Sequence, residues 1–454
     1  MKTRHIYRFM YVFLVFSGIV FASCEDQPDK FKLSGGSPEV DYIRIAADTA
    51  TYKTGGTTID YSDLNATKAS MQSVLCLVGN NLRSIKEMYF NDQKAVLNTS
   101  YITDHTLFVS VPNEIPDKVT DKIYMVNKSG DTTAYNFHVI VPAPVVSSLS
   151  YEYAPAGSDV TLTGDYFVNN PSVPLTISVG NNKTPVTQIK SISKSSIVFT
   201  MPEGADEGPV SVTSVYGTTR SAFHYKESRG MLFDFDGLTG LGNHGWHNRP
   251  VMTDQTTSTG NFIQFGDGTA AMSAAGDYDD ADFAFQYWPG SFNTPVDYPA
   301  DGKKLTSLVD FSDWKNMALQ FEMYIPSSHP WSAGAMQIVF AGINRVTYGN
   351  TGKDVDGNTV AGPNNAFMQD DVLPRALYRP WTTTGSYDTG DKWITVTLPL
   401  SSDFIYGYTG VKATGSLSPT DFTSLTIFII GGGIKGTDCK PIIKIDNIRV
   451  IPLK

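Results

Sequence analysis

The first half of this chain contains no tryptophan. All six, Trp246, Trp288, Trp314, Trp331, Trp381 and Trp393, come after residue 227. Cysteine is almost as scarce, with only Cys24, Cys76 and Cys439. That excludes a disulfide scaffold, a Cys-based zinc site and a thiol redox centre. Cys76 and Cys439 lie in apolar surroundings far apart in sequence and read as small hydrophobes rather than a disulfide pair. Basic residues are outnumbered, giving a net charge of −10, and no basic run stands out. Nucleic acid, which requires a cationic surface, is excluded as a partner. Long helical periodicity is missing as well. The hydrolase and phosphate-binding signatures Gly-x-Ser-x-Gly, Walker A and His-Glu-x-x-His are absent.

What is present begins with the N-terminus. Lys2, Arg4 and Arg8 precede an apolar run, Phe9 to Val20, and then Phe21-Ala22-Ser23-Cys24. This order is that of a secretory signal peptide, and the apolar run is too short to span a membrane, which takes about 20 residues. A Cys directly after small residues resembles the bacterial lipobox, with cleavage before Cys24 freeing its thiol for diacylglycerol. Glu25, Asp26 and Asp29 follow at once and resemble the acidic export signal of Bacteroidetes surface lipoproteins. The reading is a signal peptide over 1–23, a linker over 24–37 and a lipid anchor at Cys24 in the outer membrane.

The remainder reads as all-β. Short runs of Val, Ile, Thr, Tyr and Phe are broken by Gly, Pro, Asn and Asp every ten residues or so. Leu75-Cys-Leu-Val-Gly79-Asn-Asn-Leu82 returns as Val160-Thr-Leu-Thr-Gly164-Asp-Tyr-Phe167, and strands closing at Pro112 and Pro202 complete each copy. These repeats are similar to the immunoglobulin-like modules of plexins and transcription factors. They predict modules at 38–142 and 143–227, jointed at Pro142 and Pro144, with a second boundary at Tyr225-Lys226-Glu227. Both read as spacers, and Tyr151 and Tyr153 as strand-face or joint residues. From Met231 the strands lengthen and the loops grow, as over 253–282 and 349–371. Residues 228–454 read as a two-sheet jelly roll with functional loops.

The tryptophans concentrate in that domain. An indole offers a large rigid face and one donor, which suits stacking on the C–H face of a pyranose. Trp314 and Trp393 open strands and read as core. Trp331 and Trp381 lie in Pro-containing loops and could extend a binding surface. Pro289 ends the strand carrying Gln286-Tyr287-Trp288, so both rings are expected to line one loop rim.

Residues 231–454 contain Phe233-Asp-Phe-Asp-Gly, Gly245-Trp246, Phe285-Gln-Tyr-Trp-Pro289, Asp313-Trp-Lys-Asn-Met-Ala-Leu-Gln-Phe-Glu322 and Ile445-Asp-Asn-Ile448. In these motifs the domain resembles the glycan-binding domain of the surface glycan-binding protein B family of Bacteroidetes polysaccharide-utilisation systems. The resemblance implies a non-catalytic, monomeric cell-surface lipoprotein that captures a β-glucan or xyloglucan, with a glycan transporter complex as a candidate partner. It selects Trp246, Tyr287 and Trp288 as the platform. Asn248, Arg249 and Gln286 are the nearest planar polar groups for sugar hydroxyls.

Two other classes stay open at this stage. A glycoside hydrolase needs paired carboxylates in a pocket, and Asp234, Asp236, Glu322, Asp370 and Asp371 are available. A protein-binding adhesin would use the first two modules. No cofactor is called for. His244-x-x-His247 lacks a third metal ligand and Asp354-Val-Asp-Gly-Asn358 lacks the closing Glu of a calcium loop. A structural Ca²⁺ is conceivable where the first and last strands of the jelly roll bring Asp234 or Asp236 near Asp446.

Replacing Cys24 with Ser is expected to move the protein from the membrane to the soluble fraction. Retention of the variant in outer-membrane vesicles would exclude the lipid anchor.

Overall fold

The computed structural model describes residues 31–47, 65–242, 249–256, 259–277, 280–288, 303–342, 345 and 369–453. Cys24, Trp246, Asn248, His244, His247 and the segment Asp354–Asn358 lie outside these residues. The chain divides into two compact units, residues 1–142 with 170–172, and residues 143–169 with 173–454.

The first unit is a β-sandwich. One sheet has the order β1–β2–β5–β4, built from β1 (Glu39–Ala47), β2 (Val74–Asn80), β4 (Leu97–Ile102) and β5 (Thr106–Ser110). The other is built on β3 (Ile85–Phe90), β6 (Lys122–Asn127) and β7 (Thr132–Asn136). Period-2 alternation buries Leu75, Leu77, Leu107 and Val109 from the first sheet and Met88, Phe90, Ile123 and Met125 from the second. Asn81, beyond the Gly79 turn, takes φ 55°, a left-handed conformation that Asn tolerates.

The second unit contains two sandwiches. Its N-terminal module pairs a sheet of β8 (Val145–Leu149), β9 (Asp159–Asp165), β11 (Ile189–Ile192) and β12 (Ser196–Thr200) with one of β10 (Thr176–Val179), β13 (Gly208–Ser214) and β14 (Gly217–Tyr225). The C-terminal sandwich begins with β15 (Met231–Phe233), β16 (Phe262–Phe265) and β17 (Ala284–Tyr287). It continues with β18 (Met317–Tyr324), β19 (Ala335–Ala341), β20 (Ala376–Tyr378), β21 (Ile394–Pro399), β22 (Ser424–Ile430) and β23 (Ile443–Pro452). Strands β16–β23–β18–β21 lie side by side in a six-stranded sheet, where β15 also pairs with β23. The opposing sheet has the order β17–β22–β19–β20. Leu319, Phe321, Met323, Ile427 and Ile429 fill the space between the sheets.

All eight residues of β18 are buried, although its sequence alternates. The reason is that the module of residues 143–227 covers the outer face of the six-stranded sheet. Phe262, Tyr324, Trp393 and Ile451 join that module's core. Thr395 N–H donates to the Ser150 carbonyl at 2.9 Å, and Glu152 N–H donates to Thr395 Oγ1 at 2.8 Å.

At the centre of this seam lies an ion cluster. Arg449 donates from Nη1 to Glu322 Oε2 at 2.6 Å, and from Nη2 to Glu322 Oε1 at 3.0 Å and Glu152 Oε2 at 2.8 Å. All three side chains are at most 1% exposed. Gln320 Nε2 donates to the second oxygen of Glu152 at 3.1 Å, and the Arg449 guanidinium lies 5.3 Å from the Tyr153 ring centre. Two carboxylates share one guanidinium, and burial pushes the Glu152 carboxyl up to about 7, against the pull of Arg449. The join at Tyr225–Glu227 is equally engaged. Glu227 pairs with Arg229 at 2.5 Å, and Tyr153 OH donates to the Glu227 carbonyl. Tyr151 is a buried core residue of the module, and Tyr153 is a joint residue.

The module at 143–227 is therefore more than a spacer, because its removal would uncover Arg449, Glu322 and an apolar sheet face. Arg449→Ala leaves two buried carboxylates without a counter-charge and is expected to cost about 3–5 kcal/mol in chemical denaturation. A loss below about 1 kcal/mol would mean that the seam is wet.

Candidate functional site

With one sheet sealed, the outer side of β17–β22–β19–β20 is the other broad face of the C-terminal domain. Cross-strand partners share a face, which assigns its residues. Gln286 pairs with Thr426, Phe428 with Gln337, and Gln337 with Leu377. Thr426 and Phe428 are two apart on β22, so all these residues point outward. Trp288 joins them, because its Nε1–H donates to Thr426 Oγ1 at 3.0 Å.

Tyr287 points the other way. It pairs with Leu425, its ring meets Phe233 edge-on at 5.2 Å, and its hydroxyl donates to the Lys303 carbonyl at 2.8 Å. The expectation that Tyr287 and Trp288 line one surface is thus corrected. The ladder holds as far as Tyr287, so strand alternation wins over the turn geometry expected ahead of Pro289. Tyr287 is 1% and Trp288 8% exposed.

Trp331 and Trp381 are core residues rather than rim residues, at 0% and 3% exposed. Their indoles donate to the carbonyls of Ala333 and Gly334 at 2.6 and 2.8 Å. Both pin one turn, and neither offers a free face. Gln286 is buried at 2%. Arg249 is buried and donates from Nη1 to the Asp282 carbonyl at 2.7 Å, which anchors the short helix leading into β17. Trp393 is buried as expected, in the seam against Phe262 and Tyr324, and Trp314 packs on the core beside Phe422.

The outer face also organises loops that the sequence reading missed. Gln337 Nε2 donates to the carbonyls of Tyr408 and Ile430, each at 3.1 Å. Arg375, fully buried, donates to Gln337 Oε1 at 3.1 Å and to the Asp370 carbonyl at 3.0 Å. The guanidiniums of Arg375 and Arg379 lie 5.8 Å from the rings of Tyr408 and Tyr406. Asp371 accepts from Thr409 N–H and Oγ1–H at 2.8 and 2.9 Å, and these bonds lower its pKa. The result is a half-exposed group of Tyr406, Tyr408 and Arg379 on the same side of the sheet as Trp288. Three strand spacings, about 14 Å, separate β17 from β20. The available signal was Phe404-Ile-Tyr-Gly-Tyr-Thr-Gly410, two tyrosines around a glycine.

The carboxylates available for a catalytic pair are each engaged by protein donors. Asp234 accepts from Leu238 and Thr239 N–H, and Asp236 from Asn261. Asp370 accepts from Val372 and Leu373 N–H, and Glu322 is bound to Arg449. β15 and β23 do run side by side as expected, but Asp446 is engaged by Thr259 Oγ1–H at 2.7 Å and by Asn447 N–H at 2.7 Å. Both Asp446 oxygens thus already accept from protein donors. Among the described residues the one convergent metal-type group is Glu207, His224 and Glu227, with His224 Nδ1 4.0 Å from each carboxylate. Arg229 already neutralises Glu227 there.

Comparison with known proteins adds the family. Residues 225–452 match the surface glycan-binding protein B xyloglucan binding domain, and residues 144–227 match the IPT/TIG domain. A surface glycan-binding protein from Prevotella bryantii is 46% identical, with a TM-score of 0.81 over 93% of this chain and 100% of that one. The chain belongs to the surface glycan-binding protein B family. A Bacteroides ovatus IPT/TIG domain-containing protein is 27% identical over 35% of this chain, and the chain spans 30% of that relative's length. A surface glycan-binding protein B from a complex xyloglucan utilization locus in Bacteroides uniformis, 14% identical, has a TM-score of 0.38 over 92% of this chain. The family is one of glycan-binding proteins, and this chain is a glycan binder by membership.

Burial pushes the Asp446 carboxyl up to about 8, with Glu322 and Asp236 adding to the rise and Thr259 opposing it. The folded chain therefore keeps this proton between pH 4 and pH 8, whereas the unfolded chain releases it. Stability should fall as pH rises through that window. The fall should be shallower in Asp446→Asn, as read by melting temperature from pH 5 to pH 9. Parallel pH profiles for the two proteins would refute the assignment.

Proposed function

We propose that this chain holds a neutral β-linked polysaccharide, xyloglucan or a related β-glucan, on the outer side of the four-stranded sheet, and that it does so without catalysis. The observation that carries the reading is the sealing of the other sheet by residues 143–227, while this side holds Trp288. Trp246 supplies the stacking ring, worth about 1–3 kcal/mol by analogy with aromatic stacking on bases, and Trp288, 8% exposed, contributes only the part of its ring that reaches the surface. Gln286 and Thr426 fix the strand and the Trp288 indole beneath the ligand. Asn248 supplies an amide to sugar hydroxyls. Arg249 acts indirectly, by holding Asp282. Tyr406 and Arg379 extend the surface toward β20.

With its signal peptide and Cys24, the protein would sit as a lipid-anchored monomer on the outer membrane and hand glycan to a transporter complex.

Trp246→Ala is expected to weaken xyloglucan binding at least tenfold in calorimetry, with the melting temperature unchanged. Near-normal affinity would move the site elsewhere. Trp288→Ala should weaken binding and also cost stability, about 3–5 kcal/mol, because the ring packs in the core. Raising salt from 0.05 to about 0.5 M should leave affinity nearly unchanged, since the contacts carry no net charge. Release of reducing sugar during incubation would instead support the hydrolase alternative.

A further inference from the structure

The first module brings two aromatic side chains together at its surface. Among the described residues, Tyr101 and Phe108 are the aromatic side chains that stand open to solvent, at 58% and 40% exposed. They meet on the first module with ring centres 6.5 Å apart at 67°. Tyr101 lies on β4, the edge strand, which pairs with β5 only through Leu97 with Val109 and Ile102 with Leu107. Between those anchors the strand bows away from its neighbour, and Asn98 to Tyr101 are exposed. The gap is a cleft of about 500 Å³ lined by Val74, Val96, Asn98, Tyr101, Phe108 and Ser110 over a Val109 floor.

Val96 is 88% exposed at the lip. Val96, Tyr101 and Phe108 thus present apolar side chains open to solvent around the cleft. The cleft lining contains no charged side chain, although the chain as a whole carries a net charge of −10. An uncharged ligand therefore matches it. Aromatic and valine surface would receive the C–H face of a pyranose. The exposed Asn98 amide and Ser110 hydroxyl stand beside it for the ring hydroxyls. Asn98 is oriented by accepting from Ser100 N–H at 3.0 Å.

We infer that this cleft is a second, weaker glycan-binding site for one or two sugar residues of the same neutral polysaccharide. The inference rests on the glycan-binding reading above. A first module with its own sugar contact would hold the polymer independently of the C-terminal domain.

The test is calorimetry of the full chain with a xylogluco-oligosaccharide, beside retardation on a xyloglucan gel. The wild-type isotherm should require two classes of site, and Tyr101→Ala/Phe108→Ala should reduce it to the tighter class alone. On a Trp246→Ala background, the residual gel retardation should vanish when the Tyr101 and Phe108 changes are added. Both side chains are exposed, so the melting temperature should not move. A wild-type isotherm with a single class of site, unaltered by the double change, overturns the inference and leaves the main reading intact. A wild-type chain that binds no glycan overturns both. A shift in sedimentation with unchanged glycan binding would assign the patch to a second copy of the chain and overturn the glycan assignment.

Discussion

Arg449 is closed off from water, and so are both carboxylates that hold it, Glu152 and Glu322. Bringing these groups together out of solvent is worthwhile only if every part of the cluster is in place. Glu152 comes from one sandwich, and Arg449 and Glu322 from the other. Neither sandwich can complete the cluster alone, so their mutual position is fixed by charge as well as by the apolar seam of Phe262, Tyr324, Trp393 and Ile451. Loss of Arg449 would leave both carboxylates buried without a counter-charge.

That constraint decides where a ligand can go. A two-sheet domain has two broad outer faces, and the cluster removes one of them. The face that is left was shaped differently. Its polar residues, Gln337 and Thr426, are spent on holding loops and an indole in place. Arg375 is committed to the same work. A sugar platform needs such support, because a stacking ring contributes little if it must first be ordered.

Much of the fold was legible in sequence, because period-2 alternation is a local signal. Leu319, Phe321 and Met323 announce an inward face, and the Gly79 and Gly164 turns announce repeated sandwiches. The same alternation does not report the burial of Gln320 and Glu322. Their burial depends on Glu152, far away in the chain, and no local pattern reports that contact. The site was less legible for a related reason. Tyr287 and Trp288 are neighbours in sequence ahead of Pro289, a pattern that predicts one shared rim, yet the β17–β22 ladder sends them to opposite faces. Trp331 and Trp381 sit beside prolines and read as loop residues. Their indole N–H groups instead close a single turn at Ala333 and Gly334. The pairing of Tyr101 with Phe108 required knowing that β4 bows away from β5.

The central claim is that the glycan lies on the outer side of β17–β22–β19–β20, away from the face that residues 143–227 occupy. A crystal structure of the full chain with a bound xylogluco-oligosaccharide tests it most directly. The account requires sugar rings on the side of the sheet bearing Trp288 and the Tyr406–Tyr408 loop, with the Arg449 cluster intact and dry beneath the opposite sheet. Sugar bound to the C-terminal domain only along the seam with residues 143–227, or with Trp288 uninvolved, would contradict it.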